Sequence, residues 1–280
     1  MPARLQFAVF GQPIAHSLSP RIHAMVAQQF GIALEYRAIK AGPVELAHAL
    51  DAFAREGGVG ANVTLPLKQD AAALCSSVSA RARRCGSVNT LIREDDHWRG
   101  DSTDGSGLLR DIAEHHAFEP HGHRCLLLGA GGAARAVAFA LAEAGAGHVA
   151  IANRTHERAR VLAAALAPKA QAIGWSDLAA ADAFDLIVHA TAAGHAVATF
   201  DAPSSIVAPE TLCYDLSYGP AAAPFLRWAR TAGATRAADG LGMLIEQAAD
   251  AFAIWHGRRP DTGPVRAALR GELAVALSGA

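Results

Sequence analysis

The sequence predicts an α/β protein in two parts. The first is an N-terminal mixed-sheet α/β domain, and the second is a Rossmann-like α/β domain with mostly parallel strands. Three observations carry this. Short β-type runs alternate with longer alanine-rich helical runs, the signature of strands joined by helical crossovers. Glu94-Asp95-Asp96 separates two strand-like runs, which reads as a hairpin and makes the first sheet mixed. Gly129-Ala130-Gly131-Gly132-Ala133-Ala134 follows an apolar run and opens a helical one.

In chain order, residues 5–10, 34–39 and 59–63 read as strands, with helices over 20–30 and 44–55 between them. Pro20 at a helix start, with Ser19 as its N-cap, is a standard beginning. Residues 88–93 and 97–100 form the two arms of the hairpin. A helix over 104–116 leads into a polar stretch ending at residue 123. A second series then starts: strand 124–128, helix 131–144, strand 148–152, helix 155–166, and strands 185–189 and 211–216. Residues 239–255 and 264–277 read as closing helices. The domain boundary falls in 104–123.

Composition narrows the function classes. The 280 residues carry 25 Lys and Arg against 26 Asp and Glu, so the net charge of −1 gives no electrostatic footprint for nucleic acid or an anionic membrane. No run of about 18 uncharged apolar residues is present for a transmembrane helix. The N-terminus reads as a first strand rather than a signal peptide. Cys75, Cys85, Cys125 and Cys213 form no Cys-x-x-Cys pair, which fits a reducing, cytoplasmic setting.

The glycine loop satisfies Gly-x-Gly-x-x-(Gly/Ala) with Gly129, Gly131 and Ala134. The first permits a tight turn, the second lets pyrophosphate approach the backbone, and the small third packs helix on strand. The helix N-terminus offers free amide hydrogens to phosphate. The second strand of this series ends Ile151-Ala152-Asn153-Arg154-Thr155 without the acid that would bind the ribose hydroxyls of NAD. A carboxylate there would repel a 2′-phosphate, whereas an Arg fork binds it, so the expected cofactor is NADP(H). Thr155 doubles as the N-cap of the next helix.

In the first part, Ser17 and Ser19 bracket Leu18, two hydroxyls able to hold a carboxylate. Asn62-Val63-Thr64-Leu65-Pro66-Leu67-Lys68 leaves a strand for a helix, where open α/β sheets place ligands. Asn89 and Thr90 lie in a strand-like run that disfavours Asn. Asp104 precedes a helix and doubles as its cap. A Lys–Asp pair in a cleft would hold a proton donor at an oxygen during hydride transfer, but sequence separation alone does not bring Lys68 and Asp104 together.

Taken together, the ordered motifs resemble the shikimate dehydrogenase family of the aromatic amino acid pathway. They run from Phe10-Gly11-Gln12-Pro13-Ile14-Ala15-His16-Ser17-Leu18-Ser19-Pro20, through Asn62 to Lys68, Val88-Asn89-Thr90, Thr103-Asp104-Gly105, the glycine loop and Asn153-Arg154-Thr155. The last is Asp239-Gly240-Leu241-Gly242-Met243-Leu244-Ile245-Glu246-Gln247. The resemblance implies an oxidoreductase acting on a CH–OH group, reducing 3-dehydroshikimate to shikimate with NADPH in chorismate biosynthesis. It implies Lys68 and Asp104 as catalytic pair and Ser17, Ser19, Thr64, Asn89, Tyr218 and Gln247 around substrate. It also implies Gly129, Ala130, Gly131, Gly132 and Ala133 at pyrophosphate, and Asn153, Arg154, Thr155 and Arg158 around the adenosine 2′-phosphate. Leu216, Gly240 and Met243 would lie near the nicotinamide.

The family fold further implies a substrate domain of residues 1–104 completed by 240–280, a cofactor domain of 105–239, and an active site in the cleft between them. A monomer or homodimer with a small-molecule substrate is expected.

Two departures fall in the cofactor half. The family's Asn-Ala-Thr-x-x-Gly reads His189-Ala190-Thr191-Ala192-Ala193-Gly194, and Ala223 stands where Thr often precedes Pro-Phe. Three alternatives stay open: an NAD-using quinate/shikimate dehydrogenase, a ligand sensor that kept the fold, and a dehydrogenase of an aminated analogue. His115, His116, His121 and His123 lack a metal-ligand spacing and read as a surface linker, so no metal is expected.

Overall fold

The computed structural model describes residues 4–191 and 199–278. The chain forms two compact units, Met1–Gly107 with Leu244–Ala280, and Leu108–Met243.

The first unit begins with β1 (Leu5–Gly11), α1 (Ser19–Gln28), β2 (Leu34–Lys40), α2 (Leu46–Arg55), β3 (Gly58–Val63) and α3 (Lys68–Leu74). It continues through β4 (Ser77–Val78), α4 (Ala80–Cys85), β5 (Thr90–Glu94) and β6 (His97–Asp101); α5 (Asp104–His116) begins in this unit and passes into the second at Leu108. Its sheet has the order β2-β1-β3-β5-β6-β4. β1 runs parallel to β2 and β3, while β5 is antiparallel to both β3 and β6, so the sheet is mixed. The hairpin turns at Asp95, whose φ of 51° is left-handed backbone that Asp tolerates better than most residues. α2 buries Leu46, Leu50 and Phe53, spaced as one helical face. Each such side chain contributes about 2 kcal/mol over leaving it in water.

The second unit contains β7 (Arg124–Leu128), α6 (Gly132–Glu143), β8 (His148–Ala152), α7 (His156–Ala164), β9 (Ala170–Ala172), β10 (Phe184–His189), β11 (Val207–Asp215), α8 (Ala223–Thr231) and β12 (Arg236–Ala238). Its sheet has the order β12-β11-β10-β7-β8-β9, and every pairing is parallel. Residues 125–128 of β7 are buried on both faces. Cys125 and Leu127 enter one apolar cluster and Leu126 and Leu128 another, as expected of a central parallel strand covered by helices on both sides. The order reverses at β7, the switch point where open α/β sheets bind ligands.

α9 (Leu241–His256) begins in the second unit and ends in the first, and α10 (Gly263–Ser278) belongs to the first. Several short elements were not expected from the sequence: α4, α8, β4, β9 and β12. Asn89 precedes β5 rather than lying within it.

Two cap assignments are corrected. Ser19 is the first residue of α1, and Leu18 occupies the N-cap position with no side-chain cap bond. Ser17 Oγ instead accepts from Ser19 N at 3.3 Å. Thr155 does occupy the N-cap position of α7, but its side chain makes no cap bond.

Candidate active site

Lys68 and Asp104 are brought into contact. Lys68 opens α3 and Asp104 opens α5, and Lys68 Nζ lies 2.7 Å from Asp104 Oδ2. The side chains are 13% and 4% exposed. Burying both charges is costly, so the pair depends on further hydrogen bonds. Asn89 supplies one, donating from Nδ2 to Asp104 Oδ1 at 3.0 Å. Both carboxylate oxygens of Asp104 are thereby held, and the ammonium hydrogens not directed at Asp104 point the chemistry to Lys68.

Asn89 is the hub of a buried polar cluster. Its Nδ2 also lies 2.9 Å from Thr103 Oγ1 and 3.0 Å from Gln247 Oε1, so its two hydrogens are shared among three acceptors, and its Oδ1 accepts from Thr103 N at 2.8 Å. Behind it, Tyr36 donates from its hydroxyl to Asn62 Oδ1 at 2.7 Å, and Asn62 Nδ2 donates to Asn89 O at 3.0 Å. Such a network rigidifies only if every member is satisfied. Asn62, Thr90 and Thr103 are therefore supports: sequence reading put Thr90 in a strand-like run and Asn62 where the chain leaves a strand, and gave Thr103 no role of its own. The signal that could have found them was Asn at the start of a strand-like run. Arg81 anchors the approach to Asp104 by a two-pronged contact with Asp101, at 2.7 and 3.1 Å. Burial would raise the Asp101 carboxyl, but the Arg81 guanidinium and the Ser79 hydroxyl hold it below its usual range.

Ser17, Ser19 and Thr64 lie beyond the C-terminal ends of adjacent parallel strands. Ser17 and Ser19 follow β1, and Thr64 follows β3, its N–H donating to Phe10 O at 2.8 Å. Ser19 is buried, whereas Ser17 and Thr64 are half-buried. Gln247, on α9, joins the cluster in the first unit, and Tyr218 belongs to the second.

In the second unit, Gly129 has φ +129°, and a Cβ there would lie 2.7 Å from Ala190 O, so both the turn and the close approach require glycine. A Cβ on Gly131 would meet nothing within 4 Å. α6 starts at Gly132 with no side-chain cap and no acidic residue in its first turn. Ala130, Gly132 and Ala133 complete the loop, and its first-turn amides remain for an anion. Beyond β8, Asn153 Nδ2 donates to Thr155 O at 2.9 Å, while Arg154 and Arg158 are exposed and pair with no carboxylate among the described residues. This donor set fits a dinucleotide bearing a 2′-phosphate.

Leu216, Gly240 and Met243 gather beyond β11 and β12. A Cβ on Gly240 would lie 2.3 Å from Leu216 O, and Met243 N donates to Tyr214 Oη at 3.0 Å.

Of the histidines read as a linker, two share one carboxylate and a third faces another. His115 and His116 approach Asp111 at 3.4 and 3.6 Å, and His123 approaches Asp185 at 3.1 Å. Burial pushes the Cys75 thiol up to about 11 and those of Cys125 and Cys213 to about 12, which leaves them poor nucleophiles. Residues 192–194 of the altered Asn-Ala-Thr-x-x-Gly segment lie outside the described residues.

Comparison with known proteins gives consistent matches. The family model for the shikimate dehydrogenase substrate binding domain matches residues 9–91. That for shikimate / quinate 5-dehydrogenase matches 111–220, and that for the shikimate 5'-dehydrogenase C-terminal domain matches 240–270. The shikimate dehydrogenase (NADP(+)) of Xylella fastidiosa is 52% identical over 274 residues, covering 96% of this chain and 97% of the relative. That of Xanthomonas campestris is 53% identical over 277 residues, covering 98% of each. Among solved structures, Thermus thermophilus shikimate 5-dehydrogenase in complex with NADP(H) and shikimate aligns with a TM-score of 0.84 at 37% identity, covering 95% of this chain and 98% of that one. An Ael1 enzyme from Pseudomonas putida aligns with a TM-score of 0.85 at 40% identity, covering 93% and 96%. Full-length identity of this order and the same two-part architecture lead to one conclusion: the chain belongs to the shikimate dehydrogenase family.

Proposed function

We propose that this chain catalyses the reversible reduction of 3-dehydroshikimate to shikimate with NADPH, in the cytoplasm, as a step toward chorismate and the aromatic amino acids. The observation that carries the reading is the Lys68–Asp104 contact at 2.7 Å, embedded in the Asn89–Thr103–Gln247 cluster. Four free cysteines support the cytoplasmic setting, and no helix among the described residues is long and apolar enough to cross a membrane.

The glycine loop, Asn153, Arg154, Thr155 and Arg158 would hold NADPH, with Leu216, Gly240 and Met243 toward its nicotinamide, and the bound cofactor would supply the hydride. Ser17 and Ser19 hold the substrate carboxylate through neutral hydroxyls. Thr64, Asn89, Tyr218 and Gln247 fix the ring hydroxyls, and this positioning removes much of the entropic part of the barrier. Lys68 donates a hydrogen bond and then a proton to the carbonyl oxygen as it gains charge. Asp104 orients the ammonium through the 2.7 Å contact. In the reverse direction Lys68 takes the proton from the hydroxyl.

The test is initial rates for shikimate and quinate against NADP and NAD, in all four combinations, together with Lys68→Met. Turnover confined to shikimate with NADP, lowered about 10²- to 10⁴-fold in Lys68→Met protein shown to be folded at the assay temperature, is the expected result. A Lys68→Met protein close to full turnover would remove the catalytic assignment, and equal use of NAD would remove that of Arg154.

A further inference from the structure

Asp104 is only as well placed as the segment that delivers it. Ser102 and Thr103 join β6, which ends at Asp101, to α5, which Asp104 opens. These two residues belong to no helix or strand, so side-chain contacts must fix them. Asp101 provides those contacts. Its Oδ1 accepts from Arg81 Nε at 2.7 Å, from Ser102 N at 2.7 Å and from the Ser79 hydroxyl, and its Oδ2 accepts from Arg81 Nη2 at 3.1 Å. The Asp101 side chain is 10% exposed.

The donors come from α4 and the residue before it. Ser79 caps α4, accepting from Ala82 N at 3.2 Å, and its own N–H donates to Gly100 O at 2.9 Å. Just before it, β4 pairs with β6 at Ser77–Arg99 and Val78–Gly100. Backbone contacts that do not involve Arg81 therefore dock α4 on β6, and Arg81 reaches Asp101 from a fixed base. All these residues lie in the first unit with Lys68.

The clamp has two routes to the Lys68–Asp104 pair. Along the chain, it sets where α5 begins and with it the Asp104 carboxylate. Across the sheet, Asp101 O accepts from Asn89 N at 3.1 Å, and Thr103 N donates to Asn89 Oδ1 at 2.8 Å. Asn89 in turn holds Asp104 Oδ1. A buried carboxylate that loses its guanidinium is costly to keep in place. Its relaxation toward water would displace both supports of Asp104.

We propose that Arg81 and Asp101 are positioning residues for proton transfer at Lys68, their forked ion pair fixing Asp104 and Asn89 relative to the Lys68 ammonium. The proposal rests on the function proposed above. The experiment compares the unsubstituted chain with Arg81→Met and Arg81→Lys. Met keeps an aliphatic stem and removes the charge, whereas Lys keeps the charge and loses the fork. Initial rates of 3-dehydroshikimate reduction by NADPH are measured in H2O and in D2O, per mole of shikimate-binding protein counted by equilibrium titration.

In Arg81→Met, kcat falls about 10-fold, short of the roughly 100-fold that a displacement of about 1 Å can cost, while the KM values for 3-dehydroshikimate and NADPH change less than about twofold. The ratio of kcat in H2O to kcat in D2O rises, because proton delivery carries more of the barrier. Arg81→Lys falls between the other two proteins in both readouts. An unchanged kcat in Arg81→Met, or a lowered kcat with the same isotope ratio, would assign the ion pair to stability alone and overturn the proposal. If Arg81→Met does not fold, Arg81→Lys decides by the same two readouts. No reduction of 3-dehydroshikimate by the unsubstituted chain would overturn the proposed function and this proposal with it.

Discussion

His23 offers a stability prediction with a calculable size. The ring is fully buried on α1, stacked on Tyr36 with centroids 4.4 Å apart and planes within 5°, and neither nitrogen has a hydrogen-bond partner. Burial lowers its pKa to about 3; the Asn62 side chain opposes this and His256, the smallest contribution, adds to it. In the unfolded chain the imidazole titrates normally near 6.5. Between these two values the unfolded state binds a proton that the folded state does not, so stability falls as pH falls below 6.5. At pH 5 the loss is about 2 kcal/mol, and once pH reaches 3 it approaches about 5 kcal/mol. His23→Phe keeps the stack on Tyr36 and removes the titration. Urea unfolding of both proteins at pH 7 and pH 5 provides the assay. Every other group's pH dependence is common to the two and cancels in the difference. The variant's advantage over the unsubstituted chain is expected to grow by about 2 kcal/mol from pH 7 to pH 5. An advantage that is the same at both pH values would refute the reasoning.

Three further outcomes are expected. Arg154→Gln is expected to raise the KM for NADP about tenfold with kcat nearly unchanged and to leave the KM for NAD alone, because the proposed role of the guanidinium is confined to the 2′-phosphate; steady-state kinetics with both cofactors checks this. Gly129→Ala removes detectable NADPH binding in a fluorescence titration, since a Cβ 2.7 Å from Ala190 O forces the loop open. Asn62→Leu lowers kcat severalfold with little change in the KM for shikimate, by leaving the Tyr36 hydroxyl and the Asn89 carbonyl without their partner. Rate measurements over a range of shikimate concentrations separate the two parameters.

The alternation of strands and helices, the hairpin at Asp95, the glycine loop and the absence of an acid after β8 were legible because each depends on residues a few positions apart. Periodicity, turn preference and the steric needs of a phosphate loop are local. Where local rules compete, the sequence misled. Ser19-Pro20 satisfied a capping rule, but the chain enters α1 one residue earlier and Ser17 takes the backbone amide instead. β4 and β12 have two and three residues and little pattern of their own; they form because β6 and β11 offer an edge to pair with.

The sequence by itself determined which chemical groups are present and which elements carry them. Only the tertiary structure decided which groups meet. Lys68 and Asp104 are 36 residues apart, Asn89 and Gln247 158, and His189 and Asp215 26. Each pair is joined by sheet order and register, or by the return of α9 to the first unit. Those follow from burying many apolar side chains at once, a sum over the whole chain that no short stretch of it contains.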